Sequence, residues 1–175
     1  MIGRLAAAAA ALLLAACAAF APPETPIPPL AAVPSSFEMT GRLAVRHEGR
    51  SDIAQLRWTR RGHADTWVIA SPLGNEVARI ESSPSGATLT QAGGDSVDAP
   101  SFAALTEKAL GVALDPDALA HALHGTPPAN PPPGWTFHID ETQAAGAVTL
   151  AKRITVKKDD TVVRLVVDSY RALAD

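Results

Sequence analysis

The residue with the clearest chemistry is the only cysteine of the chain, Cys17. It closes the sequence Leu14-Ala15-Ala16-Cys17 at the end of an unbroken apolar run over residues 5–16, with one charge, Arg4, ahead of it. A large aliphatic residue, two small residues and then cysteine form a lipobox pattern. The small side chains fit the cleft of a signal peptidase just before the cut, and the thiol is the atom that receives diacylglycerol. A lone thiol makes no internal disulfide, CxxC redox pair or cysteine-based zinc site. As a helix the run would span about 18 Å at ~1.5 Å per residue. That is short of the ~30 Å hydrocarbon core of a bilayer, so the run reads as the core of a leader peptide. The bland alternative is an ordinary secreted leader that happens to contain a cysteine. Acylation at the thiol and the new terminal amine would supply two or more chains, which anchor stably where one does not.

Other chemistry-bearing residues are sparse. His121 and His124 stand three apart on one predicted helix and could share a metal, but no third ligand is evident. Arg60-Arg61 could meet anionic headgroups or an acidic partner, though most such pairs are simply solvated. Lys157-Lys158 beside Asp159-Asp160 has the composition of a solvated hairpin turn. There is no GxSxG, HExxH or phosphate-binding glycine loop. No enzyme, metal site or cofactor is therefore expected. The formal charge of -3, from 15 Lys+Arg and 18 Asp+Glu in 175 residues, excludes a generally basic nucleic-acid binder. Hydrophobic content of 47% against 19% charged residues is globular. Leu73 sits between Pro72 and Gly74 in a predicted turn, where a leucine side chain faces solvent. Single surface leucines are common and by themselves carry no meaning.

The elements that must position these residues follow from periodicity. Residues 1–16 read as the leader and 17–36 as the lipidated cysteine with a tether, stiffened by Pro22, Pro23, Pro26, Pro28, Pro29 and Pro34. Residues 37–175 read as one domain. Its period is two: Phe37, Met39, Leu43 and Val45, then Leu56 and Trp58, share one face. Further strands are expected over 66–71, 75–82, 87–91 and 95–98, with Trp67, Ile69, Ile80 and Leu89 on that face. After a proline-rich loop, Trp135, Phe137 and Ile139 alternate with polar residues. Strands over 147–157 and 161–168 follow, the latter placing Leu165 inward. Between the two sets lie two short helices. Ser101 caps the first and Gly111 ends it, with Phe102, Leu105 and Ala109 on one face. Asp115 caps the second, Pro116 takes its first position, and Leu119, Ala122 and Leu123 form its stripe, ending at Gly125. The fold class is mainly β with inserted helices: a long curved antiparallel sheet whose apolar face the helices cover. That face is either a dry, filled core or the wall of a ligand cavity, and alternation alone favours the core.

Several motifs are spread along the domain: Phe37 with Gly41-Arg42-Leu43-Ala44-Val45, then Trp58, then Ser71-Pro72-Leu73-Gly74. Leu119, Leu123-His124-Gly125-Thr126-Pro127 and Gly134-Trp135 follow, and the ending is Val163-Arg164-Leu165-Val166-Val167-Asp168. Together they resemble the LolB family of outer-membrane lipoprotein receptors. The chain departs from the family pattern at Ala122 and Tyr170, where tryptophan is common, and at Ala151, where proline is common.

The resemblance implies an incomplete β-barrel whose open apolar face binds acyl chains, walled by the inward residues named above, with Phe102, Leu105, Leu119 and Leu123 on lid helices. It implies a LolA-type periplasmic carrier as donor, triacylated lipoproteins as cargo, and the outer membrane as destination, with the protein a monomer needing no ATP. It implies that Leu73, with Pro72 and Gly74, inserts into the membrane. Ala18 after the cysteine, in place of aspartate, implies outer-membrane sorting. Two rivals stand beside it: a structural lipoprotein of an outer-membrane assembly complex with a filled core, and a membrane-tethered lipid hydrolase.

Overall fold

Alternation with period two becomes nine antiparallel strands in one sheet. A computed structural model describes residues 33–126, 128, 131–146 and 148–174. Cys17, the leader and the tether up to residue 32 lie outside the described residues. The chain forms β1 (Ser36–His47), β2 (Arg50–Arg61), β3 (Ala64–Ala70), β4 (Glu76–Ser83), β5 (Gly86–Gln91) and β6 (Ser96–Ala99). Two helices follow, α1 (Phe102–Leu110) and α2 (Pro116–Leu123). The chain then returns as β7 (Thr136–Ala145), β8 (Val148–Lys158) and β9 (Thr161–Ala172). The strand order is β6-β5-β4-β3-β2-β1-β9-β8-β7, so β9 pairs with β1 and the edges β6 and β7 do not meet. The barrel is incomplete. Helix α1 packs on β5 and β6 at one edge, and α2 on β7 and β8 at the other. Both edges thus roll toward one helical layer.

The inner face is built around a row of rings. Tyr170, Phe37, Trp58, Trp67 and Phe102 follow one another with centroid separations of 5.8, 4.9, 5.3 and 4.8 Å. The row runs across β9, β1, β2 and β3 onto α1, and each such pair adds about 1 kcal/mol beyond burial. Gly41 lies where the β1–β9 register shifts. A Cβ there would stand 2.1 Å from the Val166 carbonyl oxygen, so the close approach of the two strands requires glycine.

Four local expectations change. β1 begins at Ser36, which is buried, and Ser35 O accepts from Gly62 N at 2.8 Å. Val33 packs against the core. The ordered fold therefore reaches back into the segment assigned to the tether. β7 and β9 extend to Ala145 and Ala172, beyond the apolar alternation, because a neighbouring strand supplies ladder partners. In α1 the third buried residue is Thr106, while Ala109 is exposed. Thr106 accepts from Leu114 N at 2.9 Å and so holds the buried connector Val112–Leu114 against the helix. Both helix caps form as read: Ser101 accepts from Ala104 N and Asp115 from Asp117 N.

Candidate functional site

The expected inner-face residues all fall on the helix-covered side of the sheet. Phe37, Met39, Leu43, Val45, Leu56, Trp58, Trp67, Ile80, Leu89, Trp135 and Leu165 are buried, and Ile69, Phe137 and Ile139 are half-buried against the same core. Phe102, Leu105, Leu119 and Leu123 are buried from the helix side. Most of this surface is packed on itself. An apolar cleft remains between β4, β5 and α1, with a volume of about 390 Å³. It lies in the range usual for small-ligand sites. Of the expected residues, Ile69, Ile80, Leu89, Leu105 and Ala109 line it, Ala109 from the exposed side of α1. Val77, Ala78, Val97 and Leu110 also line it and were not foreseen from the sequence. Ala78 is placed there by the β3–β4 register, where it pairs with Ile69, and Leu110 by the packing of α1 on β5 and β6.

The Leu73 turn stands at the same end of the sheet as this cleft. Val77 and Gln91, at the turn-proximal ends of β4 and β5, line the cleft with Lys108 and Leu110 of the last turn of α1. The turn itself is rigidly held. Gly74 N donates to Ser71 O and Ser71 N to Asn75 O, both at 2.8 Å, and Gln55 Nε2 donates to Pro72 O at 3.1 Å. Serine first, proline second and glycine fourth suit a type I turn, and Gly74 takes φ +88°. Leu73 at the third position is 90% exposed, so an apolar side chain is presented to solvent on a fixed frame. Among the described residues Ile53 and Val77 are the other exposed large apolar side chains, Val77 in β4 just after this turn and Ile53 in β2.

Beneath α2 lies a polar group whose composition alone suggests a solvated pair. Arg60 is buried and pairs bidentately with buried Asp65, both contacts at 3.0 Å, and it also bonds Asp117 in the first turn of α2. Burial alone would pull the Arg60 guanidinium down, but Asp65 and Asp117 outweigh it and raise it above its ordinary value. Trp58 Nε1 donates to the same Asp65 oxygen at 2.7 Å. Arg60 shares the inward parity of Leu56 and Trp58, and Asp65 that of Trp67. That parity was the signal in the sequence. Arg61, of opposite parity, is exposed.

His124 is also buried. Ala120 O can only accept, so His124 Nδ1 donates to it at 2.7 Å, and the neutral Nε2 accepts from the Tyr170 hydroxyl at 2.8 Å. Burial pushes the imidazole below its ordinary value and pushes the Tyr170 phenol up to about 12. Both ring nitrogens of His124 are engaged within the fold, and His121 is exposed. No group of metal-binding side chains occurs among the described residues. Tyr170, one of the departures from the family pattern, is the partner that fixes α2 through His124.

The model of the family described as "Outer membrane lipoprotein LolB" matches residues 35–170. The chain belongs to the LolB family. Its relatives include the outer-membrane lipoprotein LolB of Thiobacillus denitrificans, 34% identical, covering 83% of this chain and 87% of the relative. The LolB of Azoarcus sp. is 29% identical, covering 82% of each. Membership of this family places the protein at the outer membrane as a lipid-anchored protein. Among solved structures, a DUF1329 family protein from Desulfovibrio piger superposes with a TM-score of 0.55 at 7% identity, covering 82% of this chain and 89% of that one. That likeness concerns the fold alone.

Proposed function

We propose that this LolB-family chain, anchored through acylated Cys17 and facing the periplasm, takes triacylated lipoproteins from a LolA-type carrier. It receives their acyl chains on its inner face and delivers them to the inner leaflet of the outer membrane. The observation that carries the reading is the fixed, 90% exposed Leu73 at the end of the sheet where the apolar cleft lies. Exposing an acyl chain of ~16 carbons to water costs about 12 kcal/mol, at roughly 0.8 kcal/mol per methylene. Passing it between apolar containers avoids that cost. Transfer is then close to neutral, and insertion into the leaflet is the downhill step, so no ATP is needed and no bond is made or broken. The protein acts as a monomer, and as a carrier of chains it is no enzyme.

The inner face is already filled beyond the cleft, so full loading displaces the helical layer, opening from the cleft toward α2. A filled face is also what a structural subunit of an assembly complex would have, and the experiment separates the two. The full chain is incubated with carrier loaded with labelled triacylated lipoprotein and then recovered by affinity tag. Label recovered with the chain supports the receptor. A folded chain that recovers no label from competent carrier, and binds no apolar fluorophore, makes it the structural subunit.

A further inference from the structure

The face of the sheet opposite the helices carries a feature that neither the cleft nor the core uses. Cross-strand register places Arg164 of β9 opposite Ala44 of β1, and Ala44 opposite Ile53 of β2. Gln55 lies opposite Ala70 and its Nε2 donates to Pro72 O at 3.1 Å, which brings β2 beside the Leu73 turn, and Ile53 stands two residues along β2 from Gln55 on the same face. Ile53 is 64% exposed. Around it on the same face stand Arg42, Arg46, Arg57 and Arg164, all exposed. Arg42 pairs with Asp168 at 3.3 Å, while Arg46, Arg57 and Arg164 have no ion-pair partner among the described residues. Glu76, the carboxylate nearest the turn, is already held by Arg79 at 3.0 Å. A depression of about 430 Å³ on this face is bordered by Arg42, Arg57 and Gly74, and also by Asp168 and Glu76, each of which is already paired with an arginine. In a chain whose formal charge is -3, this is a local reversal of sign.

We infer that this outer face is a docking surface for the phospholipid bilayer. Ile53 enters the interface alongside Leu73, and Arg42, Arg46, Arg57 and Arg164 meet lipid phosphates. The inference rests on the membrane-contact reading of the Leu73 turn. Exposed aliphatic side chains ringed by arginine are the chemistry of an interfacial surface, and guanidinium matches phosphate in charge and geometry. An acidic protein would satisfy the arginines but offers nothing to two aliphatic tips at one edge. With this face down, the helical layer points away from the bilayer and stays free to meet a carrier.

The test uses the lipidated full-length protein in vesicles of phosphatidylethanolamine and phosphatidylglycerol. A fluorophore is placed at Ile53→Cys, Leu73→Cys or, on the exposed side of α2, His121→Cys. The unsubstituted protein serves as the blank, since Cys17 is the only native cysteine. Nitroxide-bearing lipid should quench the label at 53 and 73 and leave the label at 121 bright. Arg46→Glu, Arg57→Glu and Arg164→Glu together should lower quenching at 53 by at least about five-fold, the factor that one basic residue near an anionic surface supplies. Replacing phosphatidylglycerol with phosphatidylcholine should weaken it with no substitution at all. Quenching at 73 without quenching at 53 overturns the inference and leaves the turn reading intact. Quenching at 53 alone keeps the outer-face contact and removes the role of Leu73. Protection at 53 only when carrier is added makes this face a protein-docking surface and overturns the inference.

Discussion

Trp58 and Trp67 have rings 5.3 Å apart, yet their indole N–H groups meet opposite fates. Trp58 Nε1 donates to buried Asp65, whereas buried Trp67 Nε1 has no hydrogen-bond partner among the described residues. Replacement by phenylalanine removes similar volume at both sites. Trp58→Phe also loses a hydrogen bond to a charged group, so it should be less stable than Trp67→Phe by about 1.5 kcal/mol, read from urea midpoints. Arg60→Met leaves Asp65 charged and buried without its cation and should cost about 3 kcal/mol or more. Asp117→Asn, at a side chain 69% exposed, should cost less than about 1 kcal/mol. Period-two parity already put Arg60 and Asp65 on the apolar face. The chemistry of the dipeptide Arg60-Arg61 suggested solvation instead, because a buried pair is visible only when its partner strand is in register. Leu73 was legible for a simpler reason: proline before and glycine after leave its side chain nowhere to go but outward.

Between elements, α2 is tied to the sheet by two polar contacts, Arg60 to Asp117 and His124 to Tyr170. The imidazole of His124 is held below its ordinary value by burial first, with the positive charges of His121 and Arg60 adding to it. A histidine depressed in the folded state takes its proton in the unfolded state first. Stability is therefore full above the unfolded value of about 6.5 and falls as pH drops below it. Urea midpoints should decline from pH 7 to pH 5, and His124→Gln should flatten that slope; an unchanged slope would mean that other groups set it. Gly41→Ala should cost about 2 kcal/mol or more, since backbone must shift to admit its Cβ. The helices were legible through their caps and turn residues. Thr106 was not, because its burial follows from the connector that bonds to it, a contact eight residues away. The extra lengths of β7 and β9 come from ladder pairing, which polar composition conceals.

At the scale of the whole molecule, alternation, turn spacing and two capped helices made a curved sheet with a helical cover legible. The closing pair β1–β9, which turns a meander into an open barrel, depends on contacts some 125 residues apart in sequence and was implied only by resemblance to the family. The division of the inner face into packed rings and a cleft of about 390 Å³ was likewise hidden, because one apolar pattern serves both. The central claim is that acceptance of acyl chains and their delivery to the membrane are separate acts of one molecule, the second carried by Leu73. The most direct measurement compares the lipidated chain with its Leu73→Glu variant, following labelled lipoprotein from loaded carrier to the chain and then to liposomes. Acceptance should be unchanged, because Leu73 touches none of the cleft, while delivery should fall at least about ten-fold, the consequence of placing a charge where an aliphatic tip enters the bilayer. Delivery at the unsubstituted rate by the Glu variant would contradict the account.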